Sequence, residues 1–244
     1  MRPGVRPAVL LLILCLLGPC PAQGRNLTIN TSHGPPRSTE SGTGFLDRAV
    51  VQAFGRLGVN ASIAHRPSER ALIQANAGLD DGNFARVAGI EKYYPNLVMV
   101  PEPVTVFNFT VFSRDQELRI EKWEDLALFH VGIVIGWKIL EEHITQARSL
   151  TKVKDGEALF ALLAHGRIDV AVYDLLQGQD LVRRKGLSGI TAHEPPLARQ
   201  DMFLYLNRRH LSLVPLLTGT LRDMKRDGTL DRLVEEALSE DGRP

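Results

Sequence analysis

Apolar residues recur along this chain with two periods. Phe45, Leu46, Ala49, Val50, Ala53, Phe54 and Leu57 fall on one stripe of period 3.6, which predicts a helix over 45–57 with Gly58 just past its end. A second helix is predicted over 69–77, begun after Pro67-Ser68 and stopped by Gly78. Short runs rich in β-branched and aromatic residues at 27–29, 61–65, 81–87, 97–100 and 104–112 predict strands. The alternation then repeats. A short helix at 123–126 precedes a strand at 130–135 that ends at Gly136, and 139–145 reads as a helix. A strand at 150–153 leads to a helix over 155–165, with Asp155 as N-cap and Glu157 in the first turn. Residues 170–173 are apolar on both faces, as a central parallel strand requires, and 175–185 forms the next helix. A last strand at 202–206 and helices at 211–227 and 230–238 complete the pattern. Strands alternating with helices predict an α/β fold. Residues 32–44, rich in Gly, Pro, Ser and Thr, form a loop, but no low-complexity linker divides the chain, so two lobes must be joined by strands.

The first residues follow a different rule. Arg2 and Arg6 precede an unbroken apolar run at 8–17, broken by Gly18-Pro19 and followed by small residues up to Ala22. Ten apolar residues span about 15 Å as a helix, half the thickness of a bilayer core. The pattern predicts a secretory signal peptide over residues 1–22, export to the periplasm, and no stable membrane insertion after cleavage. Lipidation at Cys20 is the alternative, against which Pro19 stands where a lipobox takes a small residue. Both cysteines, Cys15 and Cys20, lie in this segment, so the exported chain would rely on its core rather than on disulfides.

Charge narrows the function classes. Lys plus Arg number 29 and Asp plus Glu 28, which leaves no basic excess for nucleic acid. The seven histidines show no metal-ligand spacing, and no metal or cofactor is expected. No Gly-x-Ser-x-Gly elbow, P-loop or Gly-x-Gly-x-x-Gly fingerprint is present. What remains are polar residues at predicted strand ends, where ligands of open α/β sheets sit. Arg86 ends one strand, Gly136-Trp137 follows another, and Asp174 follows a third. A guanidinium with free N–H groups suits a carboxylate and a carboxylate suits an ammonium, so the set would suit a zwitterion. The competing reading pairs Arg86 and Asp174 with neighbouring surface charges.

Four stretches carry a family resemblance. They are Gly42-Thr43-Gly44-Phe45 leading into a helix, Trp123-Glu124-Asp125-Leu126 before the strand ending at Gly136, the Gly-Arg-Ile-Asp-Val-Ala-Val-Tyr-Asp run at 166–174, and the Leu-Arg-Asp-Met-Lys-Arg-Asp-Gly-Thr-Leu run at 221–230. In this order the chain resembles bacterial extracellular solute-binding proteins of family 3, the type 2 periplasmic binding proteins that serve amino-acid ABC transporters. The resemblance implies a two-lobed α/β fold with two hinge strands, lobe 1 formed by residues 23–108 and 199–244 and lobe 2 by 109–198. It implies that Asp174 holds an α-ammonium and that the turn at Gly136 receives an α-carboxylate. Three positions depart from the family pattern. Trp137 stands where Ser or Thr is usual, the family's clamp arginine is missing from Ile90-Glu91-Lys92-Tyr93, and Arg37 replaces an aromatic after Pro35-Pro36. Arg86 is the expected substitute for the clamp.

The expected function is therefore periplasmic capture of a small polar solute, an amino acid or related organic acid, with an inner-membrane ABC permease as partner and Arg86, Gly136, Trp137 and Asp174 as ligand-binding residues. Catalysis is not expected. A dehydratase-like enzyme using Glu102 or Asp174, or a sensory module without a transport role, are the alternatives.

Overall fold

The computed structural model describes residues 26–241, so the predicted signal segment with Cys15 and Cys20 lies outside it. Among the described residues there are nine strands and seven α-helices. In chain order they are β1 (Leu27–Thr31), α1 (Phe45–Gly55), β2 (Ala61–His65), α2 (Ser68–Ala77), β3 (Gly82–Arg86), β4 (Leu97–Met99) and β5 (Thr105–Ser113). Then follow β6 (His130–Val134), α3 (Lys138–His143), β7 (Ser149–Val153), α4 (Gly156–Ala164), β8 (Val170–Asp174) and α5 (Leu175–Arg184). The last are β9 (Thr191–Asn207), α6 (Val214–Arg226) and α7 (Thr229–Asp241).

Nearly every helix and strand predicted from periodicity is present, with ends shifted by up to three residues. α1 buries the predicted stripe, with Phe45, Leu46, Ala49, Val50, Ala53 and Phe54 all inside. Asp155 caps α4 by accepting from Ala158 N at 2.8 Å, and β8 is buried along its whole length.

The departure is β9. A strand was expected from 202, yet it begins at Thr191 and runs for 17 residues. Pro195 and Pro196 hide its first half from a propensity reading, because proline cannot donate to a ladder. The register against β5 shifts between Phe109 and Val111, opposite these prolines, so the ladder passes over them as a bulge.

That long strand builds the hinge. Its residues from Thr191 to Met202 pair antiparallel with β5, and from Phe203 to Asn207 it pairs instead with β3 and β4. The strand order is β2-β1-β3-β9-β5-β8-β6-β7, with β4 also on β9. Parallel strands β1, β2 and β3 therefore lie on one side of the β5/β9 pair, and β8, β6 and β7 on the other. Two lobes result, joined where β9 changes partner. Carboxyl ends of β3, β6 and β8 turn toward the gap between them, which is where side chains from both lobes meet.

Candidate functional site

The site begins with an irregularity in β3. Its pairing with β9 shifts between Asn83 and Arg86, and Ala85 between them has φ +58°, a left-handed conformation that costs a residue with a Cβ roughly 1–2 kcal/mol. The kink aims the Ala85 carbonyl at His33, whose Nε2 lies 2.9 Å away, and turns Arg86 inward, where it is 4% exposed. Arg86 Nη1 donates to Ser68 Oγ at 2.9 Å, Nη2 to Ser32 Oγ at 3.2 Å, and Nε to Asn83 Oδ1. All of these acceptors are neutral. Burial pulls the Arg86 pKa down to about 10, against weaker opposing effects of Tyr94 and Glu69. It stays charged at neutral pH, and among the described residues no carboxylate touches it.

Lobe 2 supplies the opposite wall. After β6 the chain turns at Gly136, whose φ is +84°. A Cβ there would lie 2.7 Å from Glu69 N and 2.9 Å from Glu69 Cα in the first turn of α2, so only glycine lets the lobes approach this closely. Trp137 is 5% exposed and stacks on Tyr173, with ring centroids 4.6 Å apart at 12°. Lys138 Nζ reaches Glu69 Oε2 across the gap at 2.8 Å and Glu141 Oε2 at 2.9 Å. Burial works against the Lys138 charge, but the bonds from Glu69 and Glu141 outweigh it and raise its pKa.

Between these walls lies a cavity of about 20 Å³, room for about one water. His33, Arg86, Phe107, Phe109, Trp137 and Met202 are among its lining residues. No carboxylate is among them. A wider cavity of about 280 Å³ opens at the mouth, where Glu40, His65 and Arg66 face Lys154 and Asp155.

Three of the four predicted site residues, Arg86, Gly136 and Trp137, line the inner cavity. Asp174 does not. It is fully buried at the start of α5 and gripped by Arg37, with Nε to Oδ2 at 2.7 Å and Nη2 to Oδ1 at 2.9 Å. Arg37 is fixed further by Thr105 Oγ1 and the Val106 carbonyl, each at 3.0 Å, and by the Phe107 ring 4.0 Å from its Cζ. The alternative that both Arg86 and Asp174 pair with surface charges is thus corrected: Asp174 has an ionic partner, but a buried one, and Arg86 has none. At the turn itself, Gly136 N donates to Glu141 Oε1 at 3.1 Å. The carboxylate that the resemblance reserves for an α-ammonium is thus paired with the protein's own Arg37.

Sequence reasoning missed His33, Lys138 and the role of Arg37. The departure at Arg37 was visible, but nothing in the sequence ties it to a residue 137 positions away. Glu102, the carboxylate considered for catalysis, is held by Arg222 Nε at 2.9 Å and by Lys225. Burial alone would raise its pKa, and these two bonds bring it below the usual range. Among the described residues no group of His, Cys, Asp and Glu could hold a metal ion, and no helix is long and apolar enough to cross a membrane.

No family model matches the chain. An uncharacterized protein of Shewanella oneidensis is 25% identical over 202 residues, covering 79% of this chain and 75% of that one. Among solved structures, a histidine kinase sensor domain with similarity to periplasmic binding proteins superimposes with a TM-score of 0.77 at 17% identity, covering 88% of this chain and 96% of that one. The substrate-binding protein of an amino acid ABC transporter gives a TM-score of 0.72 at 17% identity, over 87% of this chain and 99% of that one. The fold is that of the two-lobed periplasmic binding proteins.

Proposed function

We propose that this chain is a periplasmic solute receptor whose lobes, residues 23–108 with 199–244 and residues 109–198, close on a small polar solute, an amino acid or related organic acid, and deliver it to an ABC transporter. The observation that carries this reading is Arg86: a guanidinium 4% exposed, aimed into the interlobar cavity, with only neutral oxygens around it. A buried cation without a counter-ion is costly unless something anionic joins it. Four of the five Arg86 N–H groups are taken by Asn83, Ser68 and Ser32, and the remaining Nη1–H can donate to a carboxylate. The export pattern at residues 1–22 supports a periplasmic location, and the likeness to an amino acid transporter's binding protein supports the transport role.

A sensory role is the second reading. It is favoured by the Arg37–Asp174 pair, which satisfies the expected ammonium site from within, and by the likeness to a kinase sensor domain. In either role a solute binds the folded state, so melting temperature reports it. At a concentration 100 times its Kd, a ligand adds about 2.7 kcal/mol. For a chain of this size that raises Tm by roughly 5–11 °C. A panel of amino acids and organic acids should contain at least one such solute, and its effect should vanish in Arg86→Gln. A flat response across the panel would refute the receptor reading. A responding solute combined with no permease–ATPase pair that accepts the loaded protein would select the sensory role.

A further inference from the structure

Two buried polar atoms of the inner cavity lack a hydrogen-bond partner among the described residues: His33 Nδ1 and Trp137 Nε1. Their residues are 2% and 5% exposed, their rings lie 5.6 Å apart, and both line the same small space. The two atoms have opposite chemistry. A carbonyl only accepts, so His33 Nε2 carries the hydrogen that it gives to Ala85 O, and Nδ1 is left as a bare lone pair. Burial, with Arg86 and Arg37 nearby, pushes the His33 pKa well down, which keeps that lone pair free. Indole N–H can only donate. A hydroxyl satisfies both at once, donating to His33 and accepting from Trp137, as a single water would in the closed cavity.

Charge points the same way. Arg86 makes four hydrogen bonds, to Asn83 Oδ1, Ser68 Oγ, Ser68 O and Ser32 Oγ, and retains donor capacity for an anion. Nothing in the cavity awaits an ammonium. Both oxygens of Asp174 are taken by Arg37, while Glu141 is taken by Lys138 and Gly136 N. An ammonium would enter a space already under the influence of two guanidiniums and would leave the Trp137 N–H unmatched. Leu72, Ile90, Phe107, Phe109, Ile139 and Met202 offer apolar walls for the rest of the molecule. From these groups we infer that the solute is a hydroxycarboxylate with an apolar body, its carboxylate on Arg86 and its hydroxyl between His33 and Trp137. The inference rests on the receptor reading above and names its ligand class. A cavity of about 20 Å³ is too small for such a molecule, so the lobes must part to admit it.

Matched solutes test this. Calorimetric titration of the exported chain (residues 23–244) would compare 2-hydroxy-4-methylpentanoate with 4-methylpentanoate and leucine, and mandelate with phenylacetate and phenylglycine. Members of each set share a carbon skeleton and differ only in bearing a hydroxyl, a hydrogen or an ammonium. In at least one set the hydroxy acid should bind about tenfold or more tighter than the other two, the scale of a lost buried hydrogen bond. Trp137→Phe, which keeps the ring and removes the N–H, should cut the preference for hydroxyl over hydrogen to under threefold. Circular dichroism would establish that the variant folds, and the wild-type comparison stands without it. Tighter binding of the amino acid, or equal binding of hydroxy and deoxy acids, would overturn the ligand class and leave the receptor reading intact. No binding in either set, with the twenty amino acids also silent, would overturn both.

Discussion

Removing the Arg37 guanidinium should cost this protein more than any other single charge. Arg37 and Asp174 are 5% and 0% exposed in their side chains, and two short hydrogen bonds join them. In Arg37→Met the Asp174 carboxylate would keep only the Gln177 backbone N and Nε2, each at 3.2 Å. Breaking a buried pair from one side typically costs about 3–5 kcal/mol, because a charge is left without its partner. With a urea m-value of about 2 kcal/mol/M, that moves the unfolding midpoint down by about 1.5–2.5 M. Asp174→Asn should lose a comparable amount, since it strands the guanidinium against Thr105, Val106 and the Phe107 face. The double variant Arg37→Met/Asp174→Asn leaves no unpaired charge, so it should be less destabilised than the sum of the singles by about 1–3 kcal/mol. Urea titrations of the four proteins at 25 °C measure this cycle directly. Single-variant losses under about 1 kcal/mol, or strict additivity, would refute the view that this buried ion pair holds the fold together. Arg37→Phe carries a functional corollary: it frees Asp174 for an ammonium, and amino-acid affinity should rise above wild type in calorimetry.

The other predictions concern pH and closure. His33 has a folded pKa well below its unfolded value, held down first by burial and then by Arg86 and Arg37. The unfolded chain therefore takes up a proton below about pH 6.5 that the folded chain does not, and the stability contribution present above that pH is lost as pH falls. Between pH 7 and 5.5 the loss is on the order of 1 kcal/mol, measured as the difference in urea midpoints between wild type and His33→Leu; equal pH slopes in the two would contradict it. At Gly136 a methyl group would meet Glu69 N at 2.7 Å in the other lobe. Gly136→Ala should accordingly hold the lobes apart, raising the radius of gyration in solution scattering, and an unchanged radius would show that α2 yields instead.

Much of the fold was legible because its periods are clean. The α1 stripe, the Asp155 cap and the doubly apolar β8 each follow from local chemistry, and each is where the pattern placed it. The first half of β9 was not legible, because Pro195 and Pro196 break strand propensity and only the long antiparallel partner β5 carries the strand through them. At the site, strand-end reasoning reached Arg86, Gly136 and Trp137, which meet around one cavity. It could not reach the partner of Asp174, since Arg37 lies in an irregular loop whose course is fixed by tertiary contacts. His33 escaped for a related reason: its significance comes from the left-handed turn at Ala85, a strain that the sequence does not announce.

A receptor of this kind must admit an anion between its lobes at Arg86. A crystal structure of the protein with the solute that most raises its melting temperature tests this most directly. The expected result is a carboxylate within hydrogen-bond distance of the Arg86 guanidinium, enclosed by β3 on one side and Trp137 on the other. A solute seated instead in the outer charged mouth near Arg66 and Lys154, with Arg86 still surrounded only by Ser32, Ser68 and Asn83, would contradict it.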